Sequence, residues 1–251
     1  MHPADLAEPL VEMVVRAGRL AQKARQRLVK DLKPDGSVVT NGDREVEQFI
    51  RLEIDRLTPG MPVWGEEFGF AVDRGEGVWL VDPVDGTTNY SVGSPLWGVS
   101  IGFVMAGAIE IGVVALPDLD EVYLATRGGG VTLNGAPLSA IVEGKVMRHE
   151  LVGYCESVSR LNLKVPGKQR CSGAFVVEGA WVATQRFRGI VGIREHLYDV
   201  APCILMGTEL GADVRYVDGS PLDLEPLLAG DRIGRPWMIF PAGSGFTTFS
   251  G

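Results

Sequence analysis

The sequence predicts a mixed α/β fold, and three observations carry that prediction. The N-terminal stretch repeats apolar residues at helical intervals, the middle strings short β-branched runs between turns, and the rest mixes both patterns. A length of 251 residues, 45% hydrophobic and 22% charged, fits a globular chain with ample core for one large domain or two intimate halves.

Leu6, Leu10, Val14, Ala17, Ala21, Ala24 and Leu28 recur at spacings of three and four and mark an opening helix. Lys33-Pro34-Asp35-Gly36 is a turn. Thr40-Asn41-Gly42-Asp43 starts a second helix with Val46, Phe49, Ile50 and Leu57 on its inner face, and Thr58-Pro59-Gly60 stops it. From Pro62 the period changes. Met61 to Trp64 is a short apolar run, and Val78 to Val81 is a strand ending at Asp82-Pro83. Gly98 to Val104, Ala108 to Ala115, Glu121 to Ala125 and Gly130 to Leu133 form an antiparallel meander, with Asn134-Gly135 among its turns. Gly128-Gly129-Gly130 is a turn with no evident chemistry. Further on, helices are expected over Ala174 to Thr184 and His196 to Gly207, and strands around Val214 to Val217 and Trp237 to Phe240. No repeat or linker interrupts the chain. Residues 1–251 are therefore expected to form one unit, with a seam near Glu143 to Glu150 between halves of about 1–145 and 146–251 that share a cleft.

Composition excludes several function classes. With 24 Lys+Arg against 32 Asp+Glu the formal charge is −8, and without a basic run a direct grip on nucleic acid or an anionic membrane is not expected. Cys155, Cys171 and Cys203 are odd in number and lack C-x-x-C spacing, which points to a reducing, cytoplasmic compartment. Met1 to Leu10 carries Asp5 and Glu8 and no basic or apolar leader region, so no signal peptide is expected. The most apolar stretch, Leu96 to Ile109, is too short for a membrane helix.

The chemistry concentrates in Trp79-Leu80-Val81-Asp82-Pro83-Val84-Asp85-Gly86-Thr87-Thr88-Asn89. A strand delivers Asp82, Pro83 fixes the turn, and Asp85 returns three residues later, so both carboxylates can converge at the sheet edge. Gly86 permits close backbone approach, and the amides after it suit a phosphate. Gly65-Glu66-Glu67 adds an acid pair 16 residues upstream of Asp82, counted from Glu66. Hard oxygen donors without His or Cys favour Mg²⁺ over Zn²⁺. On residue type alone, Asp-Pro and Asp-Gly also suit plain turns, Glu-Glu a solvated surface, Lys33 a solvated side chain and Asp199 a helix cap. His149 and His196 have no partner spacing that suggests chemistry.

The set Lys33, Thr40-Asn41-Gly42-Asp43, Gly65-Glu66-Glu67, Asp82 to Asn89 and Tyr198-Asp199-Val200-Ala201 resembles the inositol monophosphatase family of Mg²⁺-dependent, lithium-sensitive phosphatases. Order and spacing agree from about Leu6 to Phe240. The resemblance implies a layered αβαβα sugar-phosphatase fold with mixed and antiparallel sheets, commonly a homodimer, that hydrolyses phosphate monoesters of small polyols. Glu66, Asp82 and the carbonyl of Val84 resemble ligands of one metal; Asp82, Asp85 and Asp199 resemble those of a second. A third, weaker ion would lie near Glu66, giving two or three Mg²⁺. Thr87 and Asp43 resemble the pair that polarises the attacking water, with Glu66 beside them. Substrate contacts are implied for Asp85, Gly86, Thr87, Gly173, Ala174 and Asp199, the amides of Gly86 and Thr87 holding the phosphate.

The chain departs from that pattern in places. Tyr198 stands where family members usually carry Trp, and Pro202-Cys203 where Ala-Gly is usual. The acid that binds substrate hydroxyls in inositol-specific members is Gly192 here, with Glu195 out of register and Arg188 where an acid is common. Arg160, Lys164, Lys168 and Arg170 make the segment from Glu156 to Arg170 basic, a candidate for a second anionic group or a solvated loop. The expected function is hydrolysis of an inositol monophosphate or related alcohol phosphate. Alternatives are histidinol phosphate, fructose 1,6-bisphosphate and 3′-phosphoadenosine nucleotides, or a regulatory protein that keeps the fold without the activity.

Overall fold

A computed structural model describes residues 3–70, 77–161 and 163–246. Met1 and His2 of the N-terminal segment and Asn162 of the basic segment lie outside the described residues.

Helix α1 (Ala7–Arg25) buries the expected stripe of Leu10, Val14, Ala17, Ala21 and Ala24, and it stops before Leu28. Strands β1 (Lys30–Leu32) and β2 (Val38–Thr40) form a hairpin around the Lys33–Gly36 turn, where Asp35 Oδ1 accepts from the Ser37 amide at 3.0 Å. The sequence did not announce them, because β1 is exposed throughout. Helix α2 (Asn41–Leu57) begins with a capping box in which Thr40 and Asp43 exchange side-chain and backbone bonds. Val46, Ile50 and Ile54 are its core contacts; Phe49 and Leu57 are only half-buried.

Strands β3 (Val63–Gly65), β4 (Gly69–Phe70) and β5 (Gly77–Asp85) precede the short helix α3 (Thr87–Ser91). The meander follows as β6 (Gly98–Met105), β7 (Ala108–Leu116), β8 (Glu121–Thr126), β9 (Gly130–Leu133) and β10 (Ala136–Pro137). These strands make an eight-stranded sheet in the order β10-β9-β8-β7-β6-β5-β3-β4, antiparallel except where β3 runs parallel to β5. β5 does not end at Asp82 as expected. It continues to Asp85 through a register shift against β6, a bulge that absorbs Pro83, which has no N–H to donate.

The remaining elements are β11 (Leu151–Tyr154), α4 (Glu156–Ser159), β12 (Lys168–Arg170), α5 (Phe175–Ala183), β13 (Gly189–Gly192), α6 (Leu197–Glu209), β14 (Ala212–Tyr216), α7 (Leu224–Leu228) and β15 (Trp237–Pro241). Their strands form a five-stranded sheet in the order β12-β11-β13-β15-β14, parallel at β11 and antiparallel elsewhere. The layering is α1 and α2, the large sheet, α5 and α6, the small sheet, and a thin outer layer around α4. This is the expected mixed α/β architecture.

Glycines let the middle helices lie close on the large sheet. A Cβ at Gly98 would meet Val176 at 2.8 Å, and one at Gly112 would meet the Pro202 backbone at 2.7 Å. Pro202 lies inside α6 and cannot bond to the Tyr198 carbonyl one turn back. The buried Ser100 hydroxyl donates to that carbonyl instead, at 3.4 Å. Cys203 packs on Gly179 of α5, where an added Cβ would sit 2.8 Å from the Cys203 Cβ. The small residue missing from α6 has been moved across the helix pair.

Candidate functional site

Four elements deliver five acids to one place, and a backbone or side-chain donor fixes each one. At the bulge, Asp82 Oδ1 accepts from the Val84 amide at 3.1 Å. Asp85 Oδ2 accepts from the Val176 amide at the start of α5, at 2.5 Å. Asp199, third residue of α6, accepts from the His196 amide at 2.7 Å, so it caps the helix as well as facing the cluster. Asp43 Oδ2 accepts from the Thr40 amide at 2.9 Å, and its Oδ1 accepts from the Thr87 hydroxyl at 2.9 Å. The Thr87 oxygen also lies 3.0 Å from the Val84 carbonyl, so its one proton serves either acceptor. Glu66, in the turn after β3, is held by Lys33 at 2.8 Å.

The acids raise one another's proton affinity. Burial pushes Asp82 well above the ordinary carboxylate range, and Glu66, Asp85, Asp199 and Asp43 push it further. Burial and Glu66 bring Asp85 up to about 7, against the Val176 amide that favours its charge. Asp199 is raised by burial, Glu66 and Asp85. Asp43 is raised chiefly by burial, with Thr40 and Thr87 opposing. Lys33 is only half-buried, and burial alone would lower it; Glu66 and Glu67 outweigh that and raise it. Here the solvated reading of Lys33 is overturned.

Among the described residues, no three His, Cys, Asp or Glu side chains form a ready-made metal cage. The donor chemistry nevertheless fits a hard divalent cation. Asp82, Asp85, Asp199 and Glu66 bring four carboxylates whose mutual repulsion only added positive charge would relieve.

Gly86 turns the chain from β5 into α3 with φ +82, and a Cβ there would meet Ala174 at 2.8 Å and the Leu96 carbonyl at 3.1 Å. Only glycine meets both demands. Asn89 ties this corner to the 172–174 loop by donating to the Leu96 and Ser172 carbonyls, each at 2.7 Å. Gly173 and Ala174 thus stand against Gly86, and together with Asp85, Asp199, Glu195 and Arg232 they line a cavity of about 940 Å³.

Three residues were not singled out for the role they take here. Glu47, fully buried on α2, accepts from the Glu67 amide at 2.7 Å and the Phe68 amide at 3.2 Å, with Arg51 paired to it at 2.8 Å. It shapes the turn that carries Glu66. Its i+4 spacing from both Asp43 and Arg51 was the available signal. Glu178 lines the cavity and accepts from the Ser172 amide at 2.5 Å; burial raises its carboxyl to about 8. Glu195, out of register in sequence, is in place in space. Both its oxygens lie 2.9 Å from where a Gly192 Cβ would be, held by the Trp237 indole at 2.9 Å and the Ile193 amide at 3.0 Å. Arg188 turns away, toward the Glu143 carbonyl at 3.3 Å and Glu150 at 3.5 Å.

A family model described as the inositol monophosphatase family matches residues 2–232. The chain belongs to this family of phosphoric monoester hydrolases. It is 31% identical to an inositol-1-monophosphatase of Mesorhizobium japonicum over 93% of this chain and 94% of that one. It is also similar to a histidinol-phosphatase of Mycobacterium tuberculosis, 42% identical over 127 residues, 51% of this chain and 46% of that one. Among solved structures, an IMPase of Thermotoga maritima superposes with a TM-score of 0.81 at 24% identity, over 96% of this chain and 93% of that one. Within this inositol monophosphatase-family fold, no described helix is long and apolar enough to cross a membrane.

Proposed function

We propose that this chain hydrolyses the phosphate monoester of an inositol or a related small polyol or alcohol, with two or three Mg²⁺ ions and water as the nucleophile. The observation that carries the reading is the Thr87–Asp43 hydrogen bond standing beside a cluster of four mutually repelling carboxylates. Glu66, Asp82, Asp85, Asp199 and the Val84 carbonyl would hold the ions. Bound there, Mg²⁺ would supply Lewis acidity to the phosphoryl group and to the attacking water. The protein's own part is orientation. Asp43 accepts the Thr87 proton and leaves the hydroxyl oxygen's lone pairs to align a water. Backbone amides of Gly86 and Thr87 donate to phosphoryl oxygens, at a corner where the missing Cβ of Gly86 allows approach.

Histidinol phosphate is the second reading. The 42% identity to a histidinol-phosphatase over about half of this chain favours it. Phosphate release from inositol 1-phosphate, histidinol phosphate, fructose 1,6-bisphosphate and 3′-phosphoadenosine 5′-phosphate, with and without Mg²⁺, tests the proposal. Asp82→Asn is expected to lower kcat by about a hundredfold or more, and Thr87→Ala by a similar factor that Thr87→Ser largely restores. Absence of Mg²⁺-dependent release from every ester would overturn the enzyme reading. Full activity in Asp82→Asn would overturn the site.

A further inference from the structure

We propose that Arg194 and Arg232 form a subsite for a second anionic group on the substrate's alcohol, selecting a bisphosphate or a phosphate ester that also carries a carboxylate. This rests on the phosphatase reading and narrows its substrate class.

Both arginines line the cavity that Asp85 and Asp199 enter. They come from separate loops that the backbone clamps together. The Arg194 amide donates to the Ile233 carbonyl at 2.8 Å, the Ile233 amide to the Glu195 carbonyl at 3.0 Å, and the Arg232 guanidinium to the Arg194 carbonyl at 2.9 Å. Arg194 adopts φ +78, a left-handed conformation that side-chain-bearing residues avoid. Such a conformation persists where surrounding bonds over-determine it, and it gathers at sites where a side chain must be aimed. Here it belongs to the loop that brings Arg194 into the cavity lining.

Both side chains are exposed at the mouth of the cavity, and neither is taken up by an ion pair among the described residues. Arg25 faces Asp118, Arg51 Glu47, Arg186 Glu121 and Arg235 Asp218. Among the described residues, Arg194 and Arg232 face no carboxylate at ion-pair distance. The nearby acids are engaged elsewhere, Glu195 by Trp237 and Ile193, Glu178 by Ser172. Arginine's planar fork is matched to phosphate and carboxylate oxygens, so two such forks at the mouth of this cavity suit one of them. The basic residues of the segment from Glu156 to Arg170 do not take this place. Lys164, Lys168 and Arg170 are exposed and absent from the cavity lining, which takes only Cys155, Ser157 and Cys171 from that neighbourhood.

Fructose 1,6-bisphosphate and fructose 1-phosphate make a matched pair, differing only in the second phosphate. The expected result is a bisphosphate-to-monophosphate ratio of kcat/KM well above one, which Arg194→Ala with Arg232→Ala lowers by about 10- to 100-fold. Rising salt should shrink the same ratio. A wild-type enzyme that hydrolyses both esters without preference, or a double variant with an unchanged ratio, overturns the subsite and leaves the phosphatase reading standing. Should neither ester be hydrolysed, calorimetric binding of the same two compounds in Ca²⁺ still reads the arginines. Equal affinity for both would overturn the subsite, and tighter bisphosphate binding lost in the double variant would support it. Preference for histidinol phosphate, whose alcohol carries a cation, would also overturn it.

Discussion

Replacing Asp85 by Asn should stabilise the metal-free protein and do so only above mildly acidic pH. Asp85 stands half-buried in the cavity wall, and its carboxyl sits at about 7 against an ordinary value of 3.8. A raised carboxylate costs the fold nothing below the unfolded-state value, where both states are protonated. The cost grows as pH rises from about 4 and is complete above about 7. The rise from 3.8 to about 7 corresponds to about 4 kcal/mol at pH 8. Asn keeps an oxygen for the Val176 amide, which now lies 2.5 Å from Asp85 Oδ2, but a neutral acceptor returns about 1 kcal/mol less than a charged one. The net expectation is a gain of about 1–3 kcal/mol at pH 8 in EDTA, or several degrees in Tm, and no gain near pH 4. Urea unfolding of both proteins at the two pH values measures it. In saturating Mg²⁺ the variant's advantage should shrink, because occupancy at about 100 times Kd adds about 2.7 kcal/mol to the wild type and less to the variant. A variant less stable than wild type in EDTA at pH 8, or equally favoured at both pH values, refutes the reasoning.

Two further outcomes follow from buried contacts. Glu178 is raised to about 8 by burial, so its cost to the fold develops from about pH 4.5 upward and is complete above about 8; Glu178→Gln should therefore flatten the loss of stability over that range in thermal melts. Gly179→Ala places a methyl 2.8 Å from the Cys203 Cβ and should destabilise by about 1–3 kcal/mol in urea unfolding; Cys203→Gly in the same chain should recover most of it, and a purely additive double variant would show that the two helices do not meet there.

Where the fold was legible in the sequence, one periodicity dominated. α1 and α2 announce themselves through a stripe of Leu, Val and Ala with polar residues between, and the meander from β6 to β9 through β-branched runs cut by Gly and Asn. β13 was missed because Gly189 and Gly192 frame only Ile190 and Val191, too little apolar sequence to separate a strand from a loop. β11 is four residues long, and β1 and β12 are exposed strands whose pairing comes from neighbours distant in sequence. The acids of the site could be named from their motifs, but their anchors could not. Lys33 reaches Glu66 across 33 residues, Val176 reaches Asp85 across 91, and Glu195 fills the space above Gly192 only because a turn folds it back. Tertiary contacts of that kind leave no local pattern.

The anchors explain how the chain tolerates so much like charge in one place. Asp82, Asp85 and Asp199 each commit one oxygen to a backbone amide, and Asp43 commits one to Thr40 and the other to Thr87. Those amides belong to the bulge, to the first turn of α5 and to the entry of α6, all packed into the core that the two sheets enclose. Burial supplies the rigidity, and the repulsion is left unrelieved because relieving it with internal cations would fill the site. Lys33 is the partial exception, and it sits at the edge, on Glu66. An acidic protein of charge −8 with its acids gathered this way would repel a phosphate ester until divalent cations entered, and cations that bind the folded site alone would stabilise the fold as they relieve the repulsion. Substrate affinity and metal-dependent stability should therefore rise together along a Mg²⁺ titration, since both report the same neutralisation.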